Sequence, residues 1–431
     1  MKFKLLCASF ETQETKIFYY DNETSLFTDE YNQPVFNTSP EEYSKVVRVS
    51  KDNPGKKDNL TTLKIALGLS CNYSCSYCSQ RFVPNATETN HEQYKKFLKN
   101  LPLWFDVTNK GKGVKIEFWG GEPLVYIKTL QPLANELKKL LPEARYVMIT
   151  NGSLLTLEIN EWIENFGFNI GISHDGPGQF LRGPDPFDHK SQYLIIRDLY
   201  RRLRPHNRIS FNTMLNAKNY DREEIVKFFQ ERFGEDVPIG EGGFIDAYDN
   251  NGAALSINPS DAKEIRTKLF YDIRHGKNSN MQIVRSKINE FIESVRTVRP
   301  ATALGQKCGM DREQVIAVDL KGNILTCQNV SSVATAPNGK SHLIGHVSNL
   351  QNAKLNTATH WSFREECSKC PVLQLCKGSC MFLENELFQK SCDNSFNDNI
   401  SFFAAAIEMM TGYIPIRIEG PQREDRKNIW D

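Results

Sequence analysis

Between Thr61 and about Asp246 the chain alternates between two periodicities. Short apolar runs at 61–69, 114–118, 145–150, 168–173, 207–214 and 237–245 read as strands. Amphipathic stretches at 90–101, 126–141, 155–166, 191–203 and 220–232 read as the helices between them. Such alternation predicts an α/β fold: a parallel sheet with helices outside it and ligand-binding loops at the carboxyl ends of the strands. Ahead of it, 16–20 and 25–29 read as two strands of a hairpin around Asp21-Asn22, and 53–57 reads as a linker. Behind it, helical runs at 260–275 and 283–296 form a bridge. The strand-like run 315–320 then turns at Lys321-Gly322-Asn323 and ends at Cys327.

Composition narrows the function classes. A net charge of +1 over 431 residues gives no global field for nucleic acid or anionic membrane. The start, MKFKLLCASFETQE, does not read as a signal peptide, and the most apolar late segment, 400–414, is too short to span a bilayer and contains Glu408. The expectation is a soluble, cytoplasmic protein without nucleic-acid or membrane partners. Eleven cysteines in such a chain argue for metal or redox chemistry over disulfides. Cys7, far from the others, reads as a small buried apolar residue.

The first cysteine group, Cys71-x3-Cys75-x2-Cys78, directly follows the first strand. Three soft thiolates suit an iron–sulfur cubane with one iron left open, and an open metal position signals chemistry. Structural zinc is the alternative, although its spacing normally pairs C-x2-C with a second pair. The other informative loops also follow strands: Trp119-Gly120-Gly121-Glu122-Pro123, Thr150-Asn151-Gly152 and Ser173-His174-Asp175-Gly176-Pro177. Paired glycines at 120 and 121 admit a ligand close to the backbone. Arg182 offers a planar fork for a carboxylate, against the alternative of a surface arginine. Asn212 lies on a strand where an unpartnered amide is costly to bury, and so faces a ligand. Glu241, at the end of the sixth strand, is the candidate general base, with a surface role as the alternative. His174 reads as a loop residue.

The cysteine loop, with Tyr77 just before its third cysteine, resembles the signature of radical S-adenosylmethionine (SAM) enzymes. The resemblance implies a partial (β/α)6 TIM-like barrel. It also implies a 4Fe-4S cluster on Cys71, Cys75 and Cys78 whose open iron binds SAM, and reductive cleavage of SAM to a 5′-deoxyadenosyl radical. The segment 120–123 resembles the family's GGEP motif. Carried over, Gly120, Gly121, Glu122, Thr150, Asn151, Ser173, Asp175 and Tyr77 surround SAM, joined by Arg182 and Asn212.

Seven further cysteines follow: Cys308, Cys327, Cys367, Cys370, Cys376, Cys380 and Cys392. Their spacing, C-x2-C-x5-C-x3-C within that set, resembles the SPASM extension of radical SAM enzymes. The resemblance implies one auxiliary 4Fe-4S cluster on Cys308, Cys327 and Cys380 and another on Cys367, Cys370, Cys376 and Cys392, three clusters in all. Asp311 is a candidate cap for the first auxiliary cluster. The implied organisation is a lead-in over 1–60, the barrel over 61–246, the bridge over 247–300, a SPASM domain over 301–395 and a C-terminal helix and tail over 396–431.

The implied activity is oxidative modification of a ribosomally made peptide or protein, by crosslink formation or backbone excision. A flavodoxin or ferredoxin would donate electrons, and a separate leader-binding protein is a further candidate partner. In the sulfatase-maturing branch an aspartate base follows the cysteine that matches Cys327, whereas here Gln328 follows. That disfavours sulfatase maturation, which stands with small-molecule dehydrogenation as the enzymatic alternatives. The non-enzymatic alternative is a zinc or iron–sulfur scaffold.

Overall fold

The computed structural model describes residues 1–81, 83, 84, 91–277, 281–336 and 338–430, with the backbone alone at His91, Glu241 and Gly242. Three strands come first: β1 (Lys2–Ala8), β2 (Thr15–Asp21) and β3 (Phe27–Asp29). The six expected strands follow as β4 (Thr62–Ala66), β5 (Lys115–Trp119), β6 (Arg145–Thr150), β7 (Asn169–Ser173), β8 (Ile209–Leu215) and β9 (Ile239–Phe244). The later strands are β10 (Val315–Asp319), β11 (Asn323–Leu325), β12 (Leu343–His346) and β13 (Ile414–Glu419).

Among the described residues β4 to β9 lie side by side in chain order, all parallel. The sheet stays open at β9, so the barrel is partial. Helices Ile127–Leu140, Leu157–Phe166, Lys190–Leu203 and Arg222–Phe233 connect the strands. Their apolar faces, including Leu130, Leu133, Ile163, Ile196, Leu199 and Phe229, are buried in one core with Ile116, Phe118, Ile172 and Phe211 of the strands. Local signals set the limits of these helices. The Asp221 side chain accepts from the amides of Glu223 and Glu224 at the start of Arg222–Phe233, and Gly234 ends it in the left-handed region that favours glycine.

At its other edge the sheet does not stop. β10 pairs with β4 in parallel, Val315 opposite Thr62 through Asp319 opposite Ala66, and β11 and β12 add antiparallel strands. The hairpin leading to Cys327 is therefore continuous with the strand leading to Cys71. Segment 53–57, expected as a linker, is instead part of this junction. Lys56 is 1% exposed, and its ammonium donates to the carbonyls of Met310, Arg312 and Val315 at 2.7–2.8 Å.

The two ends of the chain also depart from expectation. β1 lies between β2 and β13, giving a four-stranded sheet in the order β13-β1-β2-β3. The tail is thus a strand that pairs with the first residues of the chain. Its Pro415 weakens the strand signal, yet proline is tolerated at a sheet edge, where β13 sits. The preceding helix, Asn385–Thr411, starts before the expected boundary at 396, so Cys392 is on the helix. No described helix is long and apolar enough to cross a membrane.

One buried ion cluster ties barrel, bridge and this helix together. Asp398, 2% exposed, lies 2.7 Å from Arg222 of the barrel and 2.6 Å from Lys287 of the helix Gln282–Arg296. Burial alone would raise the Asp398 carboxyl, but the two cations hold it well below the usual carboxylate range. A depressed folded-state pKa means that this contribution is present above about pH 4 and is lost as pH falls through the folded value. Asp398→Asn removes the buried anion that Arg222 and Lys287 share. We expect it to lower the unfolding free energy by about 3–5 kcal/mol at neutral pH, read as a shifted urea midpoint, with a smaller difference from the parent in strong acid.

Candidate active site

The cysteine loop leaves the carboxyl end of β4 and is held by its neighbours on all sides. Tyr73 Oη donates to the Pro184 carbonyl at 2.8 Å, and the Ser76 amide and hydroxyl both donate to the Leu181 carbonyl at 2.9 and 3.0 Å. Asn72 bonds Ser153 and Asn151 at 2.8 and 2.9 Å. Backbone amides point at two thiol sulfurs, from Tyr73 to Cys71 and from Gln80 to Cys78, each at 3.4 Å.

Gly121 explains how the loop after β5 meets this one. A Cβ there would lie 2.3 Å from the Leu69 carbonyl oxygen and 2.5 Å from that of Ser70. The sequence suggests glycine for ligand approach; in the structure it is the protein's own backbone that approaches. The Gly121 and Glu122 amides complete the contact by donating to Gly68 and Ser70 at 3.1 and 3.0 Å. Glu122 is 2% exposed and accepts from Leu124 N, Asn151 N and Thr150 Oγ1 at 2.7–3.0 Å. Its carboxylate therefore joins the β5 and β6 loops.

A cavity of about 490 Å³ opens at the strand ends, lined by Cys71, Cys75 and Cys78 together with Tyr77, Gly120, Gly121, Glu122, Thr150, Asn151, Ser173 and Arg182. Two expected ligand contacts do not line it. Asp175 is fully buried: its carboxylate accepts from Tyr77 Oη and from the Met214 amide at 2.9 Å, and Arg182 Nε lies 3.0 Å away, out of line for a hydrogen bond. It supports the cavity wall from behind. Asn212 lies over Gly171 and Gly240, where a Cβ would come within 2.2 and 2.5 Å of its amide. It fills the barrel interior between those strands. Arg182 is 12% exposed and paired with Asp175, so it is not a free surface arginine. His174 is fully buried, bonds Asp185 at 2.9 Å and stacks on Phe187, and burial lowers its pKa.

Sequence reasoning missed part of the wall: Met214, Ile245, Asp246, Tyr248 and Asn329. Asp246 and Tyr248 directly follow β9, where the strand-end rule would have pointed. Glu241 pairs in register with Thr213, and its side chain lies outside the described residues. Asp246 accepts from Ser379 Oγ, next to Cys380, whose thiol also interacts with Asp246 and Tyr248.

The later cysteines fall into two groups. Cys367, Cys370, Cys376 and Cys392 line one chamber. Cys380 is not among them; it interacts with Cys327, which in turn neighbours Cys308. Asp311, expected as a cap, is 1% exposed and already engaged: both its oxygens accept from the Gln306 amide, and His360 Nε2 lies 3.3 Å away. Among the described residues no three His, Cys, Asp or Glu side chains converge tightly enough for a single metal ion. A cubane spreads its thiolates further apart than one ion does.

Residues 65–231 match the model of the Radical SAM superfamily. The chain carries a radical SAM domain. The radical SAM cyclopropyl synthase TigE of Paramaledivibacter caminithermalis is 24% identical over 241 residues, 50% of this chain and 45% of that protein. The S-adenosylmethionine-dependent nucleotide dehydratase of Pseudoalteromonas ulvae is 30% identical over 175 residues, 36% of this chain and 56% of that protein. The chain spans about half the length of the curated relatives it matches. Native anSMEcpe, solved with bound AdoMet and the Cp18Cys peptide, aligns with a TM-score of 0.54 at 18% identity, covering 81% of this chain and 98% of that one. At that identity the likeness concerns the fold.

The residues fit what a radical SAM domain binds. Three thiols share one cavity, and two of them already receive amide hydrogen bonds of the kind that stabilise a thiolate. Burial pushes the Cys75 thiol up to about 11 against the pull of Arg182, so iron must draw its proton off on binding. Gly121→Ala tests the loop contact. The added methyl displaces the backbone of 69–70, and we expect a loss of about 1–3 kcal/mol in urea denaturation together with reduced iron loading at Cys71, Cys75 and Cys78.

Proposed function

We propose that this chain is a radical SAM enzyme of the SPASM type that oxidatively modifies a ribosomally made peptide or protein. The observation that carries the reading is the shared wall. The cavity holding Cys71, Cys75 and Cys78 is closed on another side by Asp246 and Tyr248, which interact with Cys380 of the second cysteine set. A substrate in that cavity sits between the two sets. The fold likeness to a protein solved with a bound peptide is consistent with a peptide as substrate.

In this reading Cys71, Cys75 and Cys78 would hold a 4Fe-4S cluster, and that cluster together with SAM would supply one-electron chemistry for hydrogen abstraction. Gly120, Gly121, Thr150, Asn151 and Ser173 line the SAM end. Asp175 fixes Tyr77 and leaves Arg182 facing the cavity as a cation. Cys308, Cys327 and Cys380 would hold one auxiliary cluster and Cys367, Cys370, Cys376 and Cys392 the other, and these would supply an acceptor for the surplus electron. A flavodoxin or ferredoxin supplies the reducing electron, and a leader-binding protein is a further partner.

Asp246 takes the substrate proton. It lines the cavity, and of the two carboxylates that do so among the described residues the other, Glu122, is saturated by its three donors. Gln328 does not serve: its amide oxygen accepts from Lys64 at 3.1 Å, and an amide holds no proton at neutral pH. This argues against a sulfatase-type base at that position.

Two measurements test the reading. After anaerobic reconstitution and reduction, the parent should convert SAM to 5′-deoxyadenosine and Cys75→Ala should not; parent protein that holds iron and sulfide yet never forms 5′-deoxyadenosine would overturn the enzyme assignment. Asp246→Asn should retain iron content and SAM cleavage, while modified peptide measured by mass spectrometry falls by about 10²–10⁴-fold.

A further inference from the structure

The chamber of Cys367, Cys370, Cys376 and Cys392 has one cationic side chain in its lining, Arg426, among the described residues. Arg426 comes from the C-terminal tail, is 4% exposed, and places Nη2 3.4 Å from Cys392 Sγ. Its guanidinium carbon lies 4.4 Å from the Phe396 ring centre, and Phe388 and Phe396 also line the chamber. Burying a cation here is costly, and the fold supports it in two ways. Asp393, next to Cys392 on the helix Asn385–Thr411, pairs with Arg426. The tail itself is tied to β13 by the hydrogen bonds Ile418 N to Lys427 O at 2.8 Å and Trp430 Nε1 to Pro415 O at 3.0 Å.

We propose that Arg426 is a positioning residue that raises the reduction potential of an iron–sulfur cluster held by Cys367, Cys370, Cys376 and Cys392. The proposal rests on the auxiliary-cluster reading above. A cubane with four thiolates carries net negative charge, and reduction adds to it. A fixed cation in an apolar, water-poor chamber favours the more negative state, and an N–H donor to a ligand sulfur acts in the same direction. Asp393 opposes part of this effect, but it is shared with Arg423 Nη1 at 2.9 Å. Arg423 and Asp425 pair on the outer side, with 40% and 59% of their side chains exposed, where water screens them. The chamber's anionic side chain, Glu366, is held by Gln389 at 2.8 Å.

The test uses the full chain with Cys71, Cys75 and Cys78 changed to alanine, so that only auxiliary signals remain, reconstituted anaerobically and titrated electrochemically under electron paramagnetic resonance. Arg426→Gln should shift one of the two signals to a more negative midpoint at unchanged iron content. Asp393→Asn should shift the same signal the other way, because it unmasks the guanidinium. Since Asp393 is 34% exposed, this variant decides the matter if Arg426→Gln fails to hold iron. Unmoved midpoints at full iron loading refute the role of Arg426 alone. If the triple-alanine chain with Arg426 and Asp393 intact binds well below about eight iron, two cubanes' worth, the auxiliary-cluster reading is refuted and this proposal with it.

Discussion

Asp175 is the point on which the candidate site depends. Its carboxylate is sealed from water and accepts from Tyr77 of the cysteine loop and from the Met214 amide of β8. Arg182, beside it, is held as a cation although burial alone would favour its neutral form, because Asp175 stands next to it. Asn219 adds a bond to the Asp175 carbonyl at 2.9 Å. A carboxylate in such a place is stable only if its partners stay in register. The same arrangement therefore fixes where Tyr77 and Arg182 stand in the cavity wall.

The second half of the chain is built on the same sheet. Because β10 continues the sheet from β4, the strands that deliver Cys71 and Cys327 are paired side by side. The terminal sheet grips the other cysteine group. Asn22, fully buried after β2, donates to the carbonyls of Ser368 and Cys370 at 2.9 and 2.8 Å, and Gln374 donates back to the Asn22 carbonyl at 3.2 Å. The chain's first residues and its tail thus converge on one cysteine chamber from opposite ends of the sequence. A region that reads as a lead-in is a clamp.

Much of this was legible in the residues. The six strands, the hairpin before Cys327 and the loops at the strand ends follow from periodicity and turn chemistry, which are local properties. Those loops do line one cavity. Asp175 belongs to a segment that resembles a SAM-contacting motif, and Asn212 is a strand amide costly to bury without a partner, so both point to ligand contacts. Whether such a residue faces the cavity or the protein depends on neighbours far away in sequence: Tyr77 and Met214 for one, Gly171 and Gly240 for the other. The base candidate Glu241 follows from the rule that ligands meet strand ends. The rule applied five residues later finds Asp246, but nothing local indicates that Ser379 would hold it at the wall.

The sequence by itself determined the chemistry available: soft thiols in a spacing suited to clusters, and strands that must lie parallel because helices separate them. Only the tertiary structure decided which thiols share a chamber, which carboxylate meets the cavity, and that β1 and β13 pair across the whole length of the chain. The reason is physical. Periodicity records how each segment partitions between water and the interior, whereas partnership between distant segments depends on shape and on hydrogen bonds satisfied across the fold, and those leave no repeating mark along the chain.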